Sequence, residues 1–215
     1  MNEFVLVDIL FMAIAVAATW AAHYLAQPPP SEAPNHDPAP PPLLAASHGV
    51  VSWTGATLEI HRPAAPLDEA LRRICNASGY RSIDVFLDGA KLAYEDVSNA
   101  FASGELDAQK HLLSEAVYET FTEAIADRAG RGESVELTFI GVGAADVTDA
   151  GLWNGRAWID VRFVGAMVSV TRNAAGDIVA GDPGRVIELS EIWSFERDLR
   201  AADPNWLLTA TEADE

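Results

Sequence analysis

The stretch NGRAWIDVRF, residues 154–163, decides the fold. Ala157, Ile159, Val161 and Phe163 fall on one side of an extended chain, Trp158, Asp160 and Arg162 on the other. A period of two marks a strand with one buried face, because successive side chains of a pleated backbone point to opposite sides. Asn154 and Gly155 just ahead are a pair that accepts the positive φ of a two-residue hairpin turn, so a strand must precede them. It does: Val135, Leu137 and Phe139 alternate with Ser134, Glu136 and Thr138. Downstream, Val168 and Val170 run into Asn173 to Asp177 and out to Ile178 and Val179, which predicts a further hairpin. Asp182, Pro183 and Gly184 predict a turn. Ile187, Leu189, Trp193 and Phe195 mark a long strand, and Trp206 with Leu208 marks the last.

Upstream of Ser134 the period changes. Phe86, Ala90, Ala93, Tyr94, Val97 and Phe101 recur at three and four, with Ser82 or Asp84 to cap the start and Gly104 to end it. A second helix begins after Asp107, carries Leu112, Leu113, Val117, Phe121 and Ile125, and stops around Gly130 and Gly132. Each has one apolar face and needs a partner surface. A shorter helix starts at Pro66, with Leu67, Ala70, Leu71 and Ile74 on one face and Arg72 and Arg73 towards its C-terminal half. Packing is favoured over lying on a membrane for this helix, since two arginines on so short a segment make it only weakly amphipathic. Helices followed by a curved antiparallel sheet give an α+β fold with the helices on one face, and a long-stranded sheet has a concave side that can form a pocket.

The N-terminal third reads as a tether. From Ile9 to Ala26 the chain carries no formal charge apart from a possible one on His23. As a helix this run is roughly 27 Å long, about the thickness of a bilayer core. Trp20 and Tyr24 lie on one face near its end, where amphipathic rings favour the interface. A cleaved signal peptide would begin with positive charge, whereas this chain offers Glu3 and Asp8, and no Lys or Arg before Arg62. Residues 1–27 are therefore expected to be a retained single membrane anchor. Its orientation is undetermined, because the rule that sets it counts Lys and Arg beside the span. Residues 28–48 are a proline-rich linker, with eight of the twelve prolines between Pro28 and Pro42, a stiff extended spacer. Residues 49–81 are expected to hold an arm, Val50 to Ile60 with Trp53, and the short helix; the domain proper is placed at 82–215.

The chain has 32 acidic and 14 basic side chains, for a net charge of −18, yet its mean hydropathy is +0.08. The first 61 residues contain five acids, no bases and the apolar run; the remainder carries 27 acids and all 14 bases. Hydropathy belongs to the tether and acidity mostly to the domain. Such a surface is a poor partner for nucleic acid, which is bound by clustered Lys and Arg, or for anionic headgroups. A single cysteine, Cys75, excludes an intrachain disulfide and a cysteine-based zinc site. Asp160 and Arg162 are expected on the outer face of the sheet and His111, beside Lys110, on the surface. His36, His48 and His61 lie in or near the linker. No GxSxG, glycine-rich phosphate loop or metal-ligand spacing occurs, so no catalytic residue, metal or cofactor is assigned.

Several stretches resemble the Tim44-like domain, known from the mitochondrial import-motor tether and from bacterial TimA-type adaptor proteins. They are FLDGAKLAYEDVSNAFASGELDAQKHLLSEAVYETF at Phe86 to Phe121, VRF at Val161 to Phe163 and VTRN at Val170 to Asn173. EIWSFERDL at Glu191 to Leu199 and DPNWLL at Asp203 to Leu208 complete the set and are the most specific. The resemblance runs from residue 84 to about 212. It implies a nuclear transport factor two-like cone, in which helices pack into a bent antiparallel sheet, and a non-enzymatic scaffold. The mitochondrial relative holds a DnaK-type chaperone and presequences at the inner membrane. This chain lacks the long charged N-terminal half of that relative, so the import-motor role does not carry over, and it lacks the basic residues that commonly follow the bacterial anchor. The expectation is a single-pass adaptor of the bacterial inner membrane with a cytoplasmic domain that binds a protein or peptide, and with the lipid bilayer engaged through the N-terminal helix. The alternatives are an assembly subunit of a secretion-type complex with a periplasmic cone, and a small-molecule-binding or isomerase-like enzyme. Tyr94, Phe163, Trp193 and Phe195 are the candidate pocket-lining residues, although core packing is the better explanation of each. Oligomeric state is left open.

Overall fold

The computed structural model describes residues 66–214. The anchor at 1–27, the linker at 28–48 and the arm around Val50 to Ile60 lie outside the described residues. Among the described residues no helix is long and apolar enough to cross a membrane.

Helix α1 spans Leu67–Ser78. Pro66 stands at its N-cap, Asp68 and Glu69 in its first turn complement the helix dipole, and Gly79 ends it at φ 75°. Ala70 and Ile74 are buried in the same cluster as Tyr94, Phe163 and Trp193, so the core begins at this helix. Its apolar face packs inward. Helix α2, Asp84–Ser103, buries Phe86, Ala90, Tyr94, Val97, Ala100 and Ala102, and Gly104 closes it at φ 80°. Arg128 donates to the carbonyls of Phe101 and Ala102 at 2.8 and 2.9 Å, satisfying acceptors that the end of a helix leaves without partners.

The single helix expected after Asp107 is two pieces. A 3-10 turn, Asp107–Leu112, gives way to an extended Leu113 at φ −113° and ψ 142°, and helix α3 then runs over Glu115–Gly130. The break has two local causes. Leu113 bridges to Leu208, with the Ser114 N–H bonded to the Leu208 carbonyl at 2.9 Å. The Ser114 hydroxyl accepts from the Val117 N–H at 3.3 Å and so caps the new helix.

The sheet has five strands: β1 Ser134–Trp153, β2 Arg156–Arg172, β3 Ile178–Gly181, β4 Ile187–Asp198 and β5 Leu207–Ala213. All pairings are antiparallel, in the order β1-β2-β4-β5, and β3 pairs with the far end of β2. Asn154 and Gly155 make the β1–β2 turn at φ 49° and 78°. Three register shifts in β1, at 139/141, 142/144 and 147/149, bend the strand. The α+β layout of helices on a bent antiparallel sheet is thus the observed one. Register aligns the inward residues: Ile159 lies opposite Phe195, Val161 opposite Trp193 and Phe163 opposite Glu191. Trp206 stands just ahead of β5 rather than within it, buried, with its indole N–H on the Tyr80 hydroxyl at 3.1 Å.

Candidate functional site

The concave side of the sheet is filled. Tyr94 from α2 stacks on Phe163 of β2, centroids 4.7 Å apart and planes 19° apart, and meets the edge of Trp193 of β4 at 4.8 Å. Phe195 packs edge-on to Phe163 and to Phe86. The four candidate residues are therefore brought together, but Tyr94, Phe163 and Trp193 are 0% exposed and Phe195 is 3% exposed. As the domain stands they are core, worth about 3–5 kcal/mol each against truncation to alanine.

Inside this cluster lies a residue the sequence reading passed over. Glu191 is 5% exposed, and its Oε2 accepts from the Tyr94 hydroxyl at 2.9 Å. Its Oε1 has no hydrogen-bond partner among the described residues. The Trp193 indole N–H lies near enough to favour the charged carboxyl without reaching hydrogen-bond geometry, and is itself unpartnered. Burial pushes the Glu191 pKa up to about 7, against the smaller opposing pull of Tyr94 and Trp193. Burial first, then the charge and the hydrogen bond of Glu191, push the Tyr94 hydroxyl far above its ordinary range. The signal was available: Glu191 stands two residues before Trp193, and strand parity puts both on one face.

The open feature lies beside this core. A groove of about 650 Å³ runs between the C-terminal half of α2, the 3-10 turn and the start of β1. Asp96, Glu105 and Glu136 bring three carboxylates to its lining, which has no Lys or Arg, over a floor that includes Ala100, Val135 and Leu137. Glu136 is engaged by Arg172 at 3.0 Å, while the Gln109 Oε1 has no partner among the described residues. The helix face that carries Asp96, Asn99 and Ser103 continues N-terminally to Leu92 and Val85, 65% and 51% exposed. None of the four aromatic candidates borders this groove. Among the described residues, no group of three His, Cys, Asp or Glu side chains is placed to hold a metal ion.

The family model described as Tim44-like domain matches residues 67–213. Among curated proteins, the chain is similar to the mitochondrial import inner membrane translocase subunit TIM44 of Homo sapiens, 27% identical over 109 residues. The Rattus norvegicus protein of the same name is 25% identical over the same length. Each match covers 51% of this chain and 24% of the relative, so the matched stretch spans about a quarter of those proteins. Among solved structures, the intermembrane space region of the chloroplast protein ARC6 aligns with 66% of this chain and 95% of that one, at 12% identity and a TM-score of 0.36, too loose a superposition to carry argument. A match that begins at the first residue of α1 and ends at the last residue of β5 takes in every described helix and strand, and the chain belongs to the Tim44-like domain family.

Proposed function

We propose that this protein is a membrane-anchored, non-enzymatic adaptor in protein transport or membrane-protein assembly. In this reading its domain docks a basic segment of a protein partner in the acidic groove beside α2. Asp96 and Glu105, with Glu136 already paired to Arg172 and no Lys or Arg among the lining residues, carry the reading, because such a surface attracts Lys and Arg and repels phosphate or acidic peptides. Exposed Leu92 and Val85 on the same helix offer apolar contact alongside. Family membership supports the link to protein transport, and the uncharged run from Ile9 to Ala26 supports anchorage in a membrane. In this reading that anchor lies in the bacterial inner membrane, with the domain on the cytoplasmic side. The filled concave face favours a scaffold over an isomerase-like enzyme, which would need open space around a buried acid.

The test is a photo-crosslinker at Asn99 in the full chain, with and without Asp96→Lys and Glu105→Lys. A specific adduct that disappears on charge reversal is expected. An adduct pattern that charge reversal leaves untouched overturns the groove as the docking surface. A reporter fused to the C terminus separates the second reading, a periplasmic assembly subunit, from the cytoplasmic adaptor.

A further inference from the structure

Glu191 is the buried ionisable group that no docking role uses, and its surroundings are specific. From α2 it meets the Tyr94 hydroxyl. On β4 itself Trp193 shares its face; its cross-strand partners are Phe163 on β2 and Ala213 on β5. Phe139 of β1 closes the far side of the Tyr94 ring at 5.8 Å. Among the described residues, Tyr94 is thus the one titratable neighbour bonded to Glu191, and no Lys, Arg or second carboxylate pairs with it. An ionised carboxylate has about four acceptor sites to satisfy. Here, among the described residues, only the Tyr94 hydroxyl hydrogen-bonds it, with the Trp193 indole N–H close by but short of hydrogen-bond geometry, inside a cluster of aromatic rings. A neutral carboxyl keeps the contact with Tyr94 and brings no charge into that cluster; the carboxylate keeps the contact but leaves a charge short of donors in a dry interior.

We propose that Glu191 is a proton-operated latch: with its proton on, it ties α2 to β4 through Tyr94, and with its proton lost, that seam loosens. Relief comes from admitting water between helix and sheet, and α2 is the element that gives, since it also forms one wall of the open groove while β4 is paired on both edges. The latch sets how firmly that wall is held, whatever docks there.

The sign follows from linkage. The folded-state pKa lies above that of the unfolded chain, so the unfolded state releases its proton first, and stability is full below the ordinary carboxyl range and falls as pH rises towards neutrality. With a pKa of about 7 folded against 4.5 unfolded, the unfolding constant gains about 40-fold between about pH 5 and pH 7 and less than about 2-fold more by pH 8. Other carboxylates contribute their own pH dependence, so the comparison is between the full chain and its Glu191→Gln variant. The ratio of their unfolding constants, from urea titrations at each pH, is expected to follow that course, and curves that run parallel overturn the latch. Hydrogen exchange of the amides from Tyr94 to Phe101 reads the seam itself. Their opening equilibrium is expected to rise from pH 6 to pH 8 in the wild-type chain and not in the variant; equal behaviour overturns the proposal. Should Glu191→Gln fail to fold, the ¹³C carboxyl resonance of Glu191 in the wild-type chain decides. A midpoint near neutrality supports the latch and one at or below about pH 5, the ordinary range of a solvated carboxyl, refutes it.

Discussion

Replacing Gly165 by alanine tests how tightly Tyr94 is held. A β-carbon on Gly165 would stand 2.6 Å from the Tyr94 hydroxyl oxygen and 2.8 Å from its Cε1. Ordinary contact needs about 3.5 Å, so the ring would have to retreat by most of an ångström. Its neighbours block the way, with Phe163 stacked at 4.7 Å, Trp193 at 4.8 Å, and both rings fully buried. Forcing a methyl into a filled core costs about 1–3 kcal/mol. Pulling the hydroxyl away from Glu191 leaves a buried acceptor without its donor, worth a further ~1–3 kcal/mol. The stiffer unfolded chain of alanine offsets only about 0.4–1 kcal/mol. A net loss of about 2–4 kcal/mol is expected, a large part of the roughly 5–15 kcal/mol that holds a domain folded. Urea unfolding of the full chain, followed by tryptophan fluorescence, reads this as a lower midpoint at unchanged slope. A midpoint that stays put or rises refutes the view that the ring is locked. On a Tyr94→Phe background the closest clashing atom is gone, so the two losses are expected to sum to less than their separate values.

Substitutions at three other positions probe separate supports. Arg128→Ala removes the Nη2 group that donates to the Phe101 and Ala102 carbonyls near the end of α2, and the cation over the Phe101 ring, and is expected to lower stability by about 2–4 kcal/mol in the same unfolding assay. Arg128→Lys recovers only part of this, because an ammonium cannot keep the two carbonyl bonds and also place a planar guanidinium over the Phe101 ring. Ser114→Ala deletes the cap of α3 and is expected to cost about 1 kcal/mol, with helical content measured by circular dichroism falling before the sheet melts. In Gly151→Ala the new methyl collides with the Trp158 ring and displaces it from its 3.3 Å contact with Asp149. Easier acrylamide quenching of tryptophan fluorescence is expected, and unchanged quenching would show that the ring does not rest on β1.

Much of the fold could be read directly from residue order. The alternation through Val161 and Phe163 placed β2, the Asn154 and Gly155 pair placed the hairpin, and the spacing of Phe86, Ala90, Tyr94 and Val97 placed the buried face of α2, because each signal is local and involves residues within a few positions of one another. The break at Leu113 was not legible. Its cause is a bridge to Leu208, nearly a hundred residues on, and no local pattern records that contact. Core packing is the better reading of Tyr94, Phe163, Trp193 and Phe195, but residue order leaves a pocket there open: parity says which way a strand residue points, not whether a helix fills the space it points into.

The sequence alone determined the α+β class, the uneven distribution of apolar and acidic residues along the chain, and the family, since composition, periodicity and short motifs survive without coordinates. Tertiary structure alone decided the two features on which function now turns. Asp96, Glu105 and Glu136 come from a helix, a loop and a strand, and become one groove only when α2 lies along β1. Glu191 looked like any carboxylate in an alternating strand. The rings of Tyr94, Phe163 and Trp193 closing around it make it a buried acid, because desolvation depends on everything nearby in space, however distant in sequence.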